Sequence, residues 1–156
     1  MRRQEGYSYA IVMFLLAVLA VISARALEND LTRERRDKEA ELLRIGQIYQ
    51  HAIEVYYNNS PGTVKQYPNS LDDLLSDTRP VKTQRPLRRL YQDPVTGGAM
   101  DLIRQGDGDS GPIIGVRSSS TLAPLKTDGF APELASFTHA SSYRQWQFIY
   151  QPTIGH

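Results

Sequence analysis

Residues 7–25 read YSYAIVMFLLAVLAVISAR, and the central part of this stretch has no polar residue. As an α-helix, residues 7–24 are about 27 Å long at 1.5 Å per residue, which is just enough to cross the hydrocarbon core of a bilayer. Arg2 and Arg3 precede the segment and favour a cytoplasmic N-terminus, while Arg25 can extend its charge to the opposite interface. The sequence therefore predicts a membrane-spanning helix over residues 7–25.

Apolar residues continue beyond this segment at intervals of three and four positions, which is typical of one face of an α-helix. They are Leu27, Leu31, Leu42, Ile45, Ile48, Tyr49, Ala52, Ile53 and Tyr56. The run Asn58-Asn59-Ser60-Pro61-Gly62 is a strong stop signal. We therefore expect one long helix whose second half, residues 26–58, is amphipathic. Gly46 is expected at a close packing point, and the mixed charges of residues 33–39 on a solvated face.

Residues 59–156 are expected to form a small globular α+β domain. Ser70 with Asp73 three positions later predicts a capping box and a short helix that starts at Leu71. A short helical turn is expected near residues 132–137, where the polar segment 118–140 contains two prolines. These elements are small and serve to complete the packing of the domain.

Three segments are predicted as strands, and they are 100–104, 113–117 and 145–150. The glycine-rich turn at 106–112 joins the first two as a hairpin. In the third segment glutamine alternates with Trp146, Phe148 and Tyr150, which places the three aromatic rings on one face. The fold class is thus α+β, with a long N-terminal helix packed on an antiparallel sheet of about three strands.

Composition narrows the function classes. The chain has 156 residues, of which 40% are hydrophobic and 22% charged, which suits one globular domain. A net charge of +1 does not provide the field of a dedicated nucleic-acid binder. The chain has no cysteine, which excludes disulfides, thiolate nucleophiles and cysteine-based zinc sites.

A catalytic motif is matched only in letters. Residues 108–111 read GDSG, the string around the nucleophile of chymotrypsin-like proteases. Such an enzyme needs a base histidine and a double barrel, whereas His51 lies within a predicted helix and His139 in an unrelated loop. Turn chemistry explains the same letters. The sequence does not predict an enzyme.

Oxygen ligands for a metal are offered by Asp101, Asp107 and Asp109, which are the candidates for calcium. Their spacing does not match an EF-hand loop. Three scattered histidines do not make a zinc site. No other cofactor is expected.

The residues before the apolar segment carry a processing signal. Gly6 is followed by Tyr7, Ser8 and the apolar run, and charges occur only on the short side of the glycine. This arrangement resembles the class III leader of type IV pilins and of the pseudopilins of type II secretion systems. The resemblance implies a leader over residues 1–6, cleavage after Gly6 by a prepilin peptidase, and N-methylation of Tyr7.

One position departs from the family pattern of glycine followed by Phe-Thr-Leu-Ile-Glu. Ile11 stands where the family has its glutamate. In the family that carboxylate pairs with the N-terminal amine of a neighbouring subunit, because an unpaired carboxylate in lipid is costly. The departure argues against a major fibre subunit and favours a minor one, for example at the tip.

The order of elements is similar to the pseudopilin pattern over nearly the whole chain, including the pairs Tyr67-Pro68 and Asp93-Pro94. The resemblance implies a structural subunit of a periplasmic pseudopilus that supports protein export. It implies a single-pass protein of the bacterial inner membrane with a periplasmic C-terminal domain. Its expected partners are other pseudopilins or pilins, inner-membrane assembly proteins, prepilin peptidase and membrane lipid.

The helix residues expected to mediate assembly are Tyr7, Ile11, Phe14, Leu15, Leu19 and Arg25. A basic loop over residues 79–89 is either a plain solvated loop or a contact surface for anionic lipid or a partner.

Other interpretations remain open from the sequence. A small-x-small pattern at residues 24–26 suits a signal peptidase, which would release a soluble periplasmic domain after Ala26. The segment also suits an uncut membrane anchor. A minor pilin of a type IV pilus has the same helix, although many such pilins contain a disulfide and this chain has no cysteine.

Overall fold

The computed structural model describes residues 5–106, 108 and 110–152, and at residues 5–6 and 26–29 it describes the backbone alone. The chain divides into two compact units, Met1–Asp37 and Lys38–His156. Each unit is described by itself below. The layout is α+β and pilin-like, with a long N-terminal helix and a small antiparallel sheet.

Helix α1 spans Glu5–Asn58 and has 54 residues, which confirms the single long helix predicted from the sequence. This is far above the usual length of about 10–14 residues, and the stability of helices in proteins comes mostly from packing of an apolar face. The helix ends where predicted. The Asn59 N–H still donates to the Val55 carbonyl at 3.0 Å, and Gly62 then adopts a positive φ of 80° that ordinary side chains avoid.

The sheet has three antiparallel strands in the order β1-β2-β3. Strand β1 is Asp101–Arg104, β2 is Ile113–Arg117 and β3 is Phe148–Ile149. The β1-β2 register pairs Asp101 with Arg117 and shifts between Ile103 and Arg104, which marks a bulge. The predicted hairpin and third strand are confirmed, although the regular part of β3 is shorter than the predicted segment.

Helix α2 spans Leu71–Leu75 and begins as predicted. The Ser70 hydroxyl accepts from the Asp73 N–H, and the Asp73 carboxylate accepts from the Ser70 N–H at 2.9 Å, which completes the capping box. Two 3₁₀ helices follow the hairpin, at Pro132–Phe137 and Tyr143–Gln145. The first confirms the helical turn expected at that position.

The core of the second unit lies between one face of α1 and the sheet. The helix contributes Leu42, Ile45, Tyr49, Ala52, Ile53 and Tyr56, all buried. Gly46 lies against the Phe148 ring, and a Cβ at Gly46 would overlap that ring. The predicted close packing point is therefore confirmed.

Aromatic rings fill the other side of this core. Trp146 and Phe148 are fully buried, whereas Gln145 and Gln147 are exposed, which shows the inward face of the third strand segment. Phe137 stacks on Trp146 with centroids 5.5 Å apart and meets Phe148 edge to face at 5.0 Å. The sequence alternation indicated this face, and the packing settles its direction.

Candidate functional site: the exposed apolar segment of α1

The first candidate site is the exposed apolar segment of α1, residues 7–25. Its large apolar side chains are exposed by between 39% at Val18 and 75% at Tyr7. Monomeric soluble proteins rarely expose a continuous apolar surface of this extent. The helix from Tyr7 onward, near the N-terminus, is long and apolar enough to cross a membrane, and its apolar part is not buried. The segment therefore presents an apolar surface that the described residues do not cover.

All of the predicted assembly residues lie in this segment and are exposed. They are Tyr7, Ile11, Phe14, Leu15, Leu19 and Arg25. Ile11, Leu15 and Leu19 are four positions apart and therefore share one face of the helix. Gly6 and Tyr7 both lie in the first turns of α1, which begins at Glu5.

The polar groups of this segment have partners within the helix. Backbone N–H and C=O groups are paired along α1, and the Ser23 hydroxyl donates to the Leu19 carbonyl at 2.9 Å. An apolar solvent provides no hydrogen bonds, so a spanning segment must satisfy its own backbone. Residues 7–24 meet that requirement as an uninterrupted helix.

The turn at Asp93-Pro94 is held by a buried carboxylate. Asp93 is fully buried, and its oxygens accept from the Val95 N–H at 2.9 Å, the Thr96 hydroxyl at 2.9 Å and the Ser118 hydroxyl at 2.6 Å. These bonds tie the turn to the end of β2. The role of Asp93 in the described structure is thus to fix the turn and the strand together.

Of the three calcium candidates, Asp101 alone lies within the described residues. Asp101 forms an ion pair with Arg117 at 2.7 Å and lies 3.9 Å from Arg144. Asp107 and Asp109 lie outside the described residues. In the part of the chain that the structure describes, no three metal-ligating side chains cluster.

Glu39 corrects one expectation. Its charge run is predicted to be solvated, yet Glu39 is only 5% exposed. Its carboxylate accepts from the N–H groups of Leu125 at 2.8 Å and Lys126 at 2.9 Å, and from the Tyr143 hydroxyl at 2.9 Å. Glu39 continues the buried stripe of α1 three positions before Leu42, and this spacing is the signal that predicts its burial. Its function is to fasten the 118–130 segment to the helix.

Arg79 is the second correction, because it does not belong to a free basic surface. Its guanidinium donates to the Asp77 carboxylate and, at 2.9 Å, to the Tyr56 carbonyl, and it lies 3.4 Å from the centre of the Tyr56 ring. The hydrogen bonds from Arg79 hold the pKa of Asp77 below its usual range. Arg79 therefore satisfies a carbonyl in the last turn of α1 and supports its C-terminus.

The other basic side chains of the loop, Lys82, Arg85, Arg88 and Arg89, are exposed. Arg89 lies over the Tyr91 ring at 4.9 Å, and Arg44 lies over the same ring at 5.7 Å. Arg44 also makes a two-pronged hydrogen bond to Glu41 and thereby lowers the pKa of that carboxyl. The loop thus contacts α1 through Tyr91 while keeping several charges in solvent.

No family model, curated protein or solved structure matches this chain. The fold class and the exposure of the apolar segment rest on the structure of this chain alone.

Proposed function

We propose that the chain is a structural subunit of a periplasmic pseudopilus, serving a type II secretion machine. The observation that supports it is a single helix with two surroundings. Residues 7–25 present apolar side chains on all sides, whereas later positions of α1 pack on the domain's own sheet. A subunit that moves from lipid into a bundle of identical helices needs such a segment.

The proposed mechanism is helix packing. In the inner membrane the apolar segment is solvated by lipid, with Arg2 and Arg3 on the cytoplasmic side and the second unit in the periplasm. During assembly the same side chains exchange lipid contacts for contacts with neighbouring helices, so that extraction from lipid is offset. Inner-membrane assembly proteins drive this exchange, and the chain performs no chemistry of its own.

Processing precedes assembly in this proposal. A prepilin peptidase cuts after Gly6, and the new N-terminus at Tyr7 is methylated. Removal of residues 1–6 takes away the charged leader and leaves the apolar segment intact. Ile11, in place of the family's glutamate, assigns the subunit to a minor position such as the tip.

The test is the intact mass and N-terminal sequence of the protein purified from its own membranes, with the peptidase present and absent. A methylated Tyr7 that appears only with the peptidase supports the proposal. A start at Leu27 contradicts it and identifies a secreted periplasmic domain. An uncut Met1 in both strains contradicts it as well and leaves a plain membrane anchor.

The machine itself is distinguished by a deletion strain. Loss of protein export supports the type II assignment. A strain that exports normally but loses its surface fibres would instead assign the chain to a type IV pilus as a minor pilin.

The minor position is tested by Ile11→Glu. We expect this variant to enter the filament along its length, because the added carboxylate can pair with a neighbour's N-terminal amine. Val12→Glu is the matched control, since it places the same charge one position away, on a different side of the helix. Equal incorporation of Ile11→Glu and the unaltered chain, measured by crosslinking, would contradict the tip assignment.

A further inference from the structure

A polar groove of about 360 Å³ lies beside β3 in the second unit. Gln50 of α1, Glu133 of the first 3₁₀ helix and the third strand segment at residues 145–151 line it. Its size is at the lower end of ligand-binding clefts, which suits a short segment better than a large cofactor. The proposed helix assembly does not use this groove.

The backbone N–H and C=O of Ile149 in β3 face the groove. Ile149 is opposite Gly115, and the next residue, Tyr150, donates its N–H to the Ile114 carbonyl at 3.0 Å. Because alternate residues of an antiparallel strand point their backbone groups to opposite sides, the N–H and C=O of Ile149 point away from β2. The C=O accepts from the Gln50 amide at 2.9 Å. The Ile149 N–H donates to no group outside the sheet among the described residues, and its pair with Gly115 is of the non-hydrogen-bonded kind.

The side chains along this edge repeat every two residues. Gln145, Gln147 and Gln151 are exposed and flank Ile149 in the same groove. Their amides both donate and accept, as peptide groups do. Gln145 already accepts from the Ser141 N–H at 2.7 Å, which fixes its position. The edge therefore matches the two-residue period of an extended chain.

A carbohydrate is the alternative occupant of the groove, but the ring of Tyr150 is not free for a sugar to stack on. Its ring lies 5.7 Å from that of Tyr57, and its hydroxyl donates to the Asn58 side chain at 3.4 Å. Tyr150 is thus engaged with the end of α1. This engagement favours a peptide over a carbohydrate as the occupant of the groove.

The groove also has a charge preference. Glu133 is its charged side chain, is exposed, and forms no ion pair among the residues described. A carboxylate at the rim attracts a lysine or arginine and discriminates against acidic segments. Charge complementarity therefore selects a basic occupant.

We propose that this groove binds an extended, basic peptide segment of a partner protein by strand addition to the outer edge of β3. A backbone carbonyl of the partner accepts from the Ile149 N–H, and a lysine or arginine of the partner faces Glu133. The glutamine amides complete the hydrogen bonds of the added strand. This places a partner contact on the sheet edge, separate from the helix contacts of assembly.

The experiment uses the full chain in non-ionic detergent and a labelled, end-blocked hexapeptide of alternating valine and lysine. We expect saturable binding by fluorescence anisotropy. The same peptide should bind Ile149→Pro about fivefold more weakly, because that variant lacks the N–H that donates to the peptide's carbonyl. An all-glutamate counterpart should not bind.

Variants of the chain locate the site. Ile149→Pro removes the outward N–H and leaves the ladder bonds to β2 in place, since edge strands accept proline there. Glu133→Gln should weaken binding of the lysine peptide about threefold, whereas Asp128→Asn, an exposed acid outside the groove, should not. Trp146 fluorescence checks that each variant is folded. If Ile149→Pro is misfolded, Gln147→Pro tests the same edge.

Three outcomes would overturn the proposal. The first is no saturable binding of the lysine peptide. The second is equal binding to a folded Ile149→Pro variant, which would show that backbone pairing at Ile149 is not used. The third is displacement of the peptide by an uncharged oligosaccharide, which would assign the groove to a carbohydrate. None of these depends on cleavage after Gly6, so failure here leaves the proposed function intact.

Discussion

Two parts of α1 have the same secondary structure and opposite surroundings. In residues 7–25 every side chain is exposed, and in residues 38–58 a stripe at intervals of three and four positions is buried. The second stretch is stabilised by the chain's own sheet, because each buried aliphatic or aromatic side chain contributes roughly 1.5–3 kcal/mol. The first stretch has no such partner among the described residues of its own unit. In the proposed function, lipid or other helices supply it.

The comparison also explains where charges are placed. The apolar segment has no ionisable side chain between Tyr9 and Arg25, which keeps the cost of lipid insertion low. The packed stretch instead buries Glu39 and satisfies its carboxylate with three donors. A buried charge is tolerated there because backbone amides replace water. The two stretches are thus specialised for two different environments.

The largest effect is expected from a leucine pair that tests the comparison directly. Leu42 is fully buried and Leu15 is 59% exposed. Leu42→Ala should lower the free energy of unfolding by about 3 kcal/mol through lost burial and a residual cavity. Leu15→Ala should change it by less than about 0.5 kcal/mol in detergent. Urea unfolding followed by Trp146 fluorescence measures both, since this is the single tryptophan and it is buried.

Equal destabilisation by the two leucine variants would contradict the division of α1 into an exposed and a packed stretch. The two should exchange rank in a membrane assay. Leu15→Ala removes apolar surface from the segment that we propose contacts lipid or neighbouring helices, whereas Leu42→Ala leaves that segment unchanged. Filament incorporation is the measurement for this second ranking.

The sequence predicts the elements well where local signals are strong. The apolar run and the stop signal after Asn58 define α1, and Ser70 with Asp73 defines the start of α2. These features depend on short-range periodicity and capping, which a sequence displays directly. Gly46 is likewise predicted as a packing point, because glycine destabilises a helix interior unless its lack of a side chain permits a close contact.

The predictions for Glu39 and Arg79 are wrong for a common reason. Both belong to charged runs that are solvated in most proteins, and their partners lie far along the chain or at a helix end. The groove beside β3 was not predicted either, although the alternating glutamines were visible. Local sequence patterns do not show which distant residues contact each other, because those contacts form only when the core is assembled.

Gly46→Ala gives the next largest effect and tests how closely the packed stretch approaches the sheet. The new methyl group would overlap the Phe148 ring. We expect a net loss of about 2 kcal/mol in the free energy of unfolding, despite the gain in helix propensity of about 1 kcal/mol. Gln47→Ala, on the exposed side of the same turn, is the control and should be neutral.

A second substitution shows that the overlap is the cause. Adding Phe148→Leu to Gly46→Ala should cost less than the sum of the two single changes, because the smaller side chain makes room for the methyl group. Strict additivity would contradict the proposed contact between Gly46 and Phe148.

Glu39→Gln examines the buried charge at the start of the packed stretch. The amide nitrogen of glutamine would face a donor, so that at least one of the N–H groups of Leu125 and Lys126 loses its acceptor. We expect a loss of about 1.5 kcal/mol. Asp37→Asn, which removes a charge from an exposed position two residues away, should have no measurable effect. Faster hydrogen exchange at Leu125 in Glu39→Gln alone would identify the released segment.

The smallest effect is a pH dependence at the other end of the packed stretch. Arg79 lowers the pKa of Asp77, so this carboxylate binds its proton more weakly in the folded chain than in the unfolded chain. Its contribution of about 1 kcal/mol is complete above the unfolded pKa near 3.9 and declines as the pH falls through the lower folded pKa. The stability difference between the unaltered chain and Asp77→Asn should therefore be constant from pH 7 to about 5 and shrink below about 4. A difference that persists unchanged in acid would show that the ion pair to Arg79 is not what secures the end of α1.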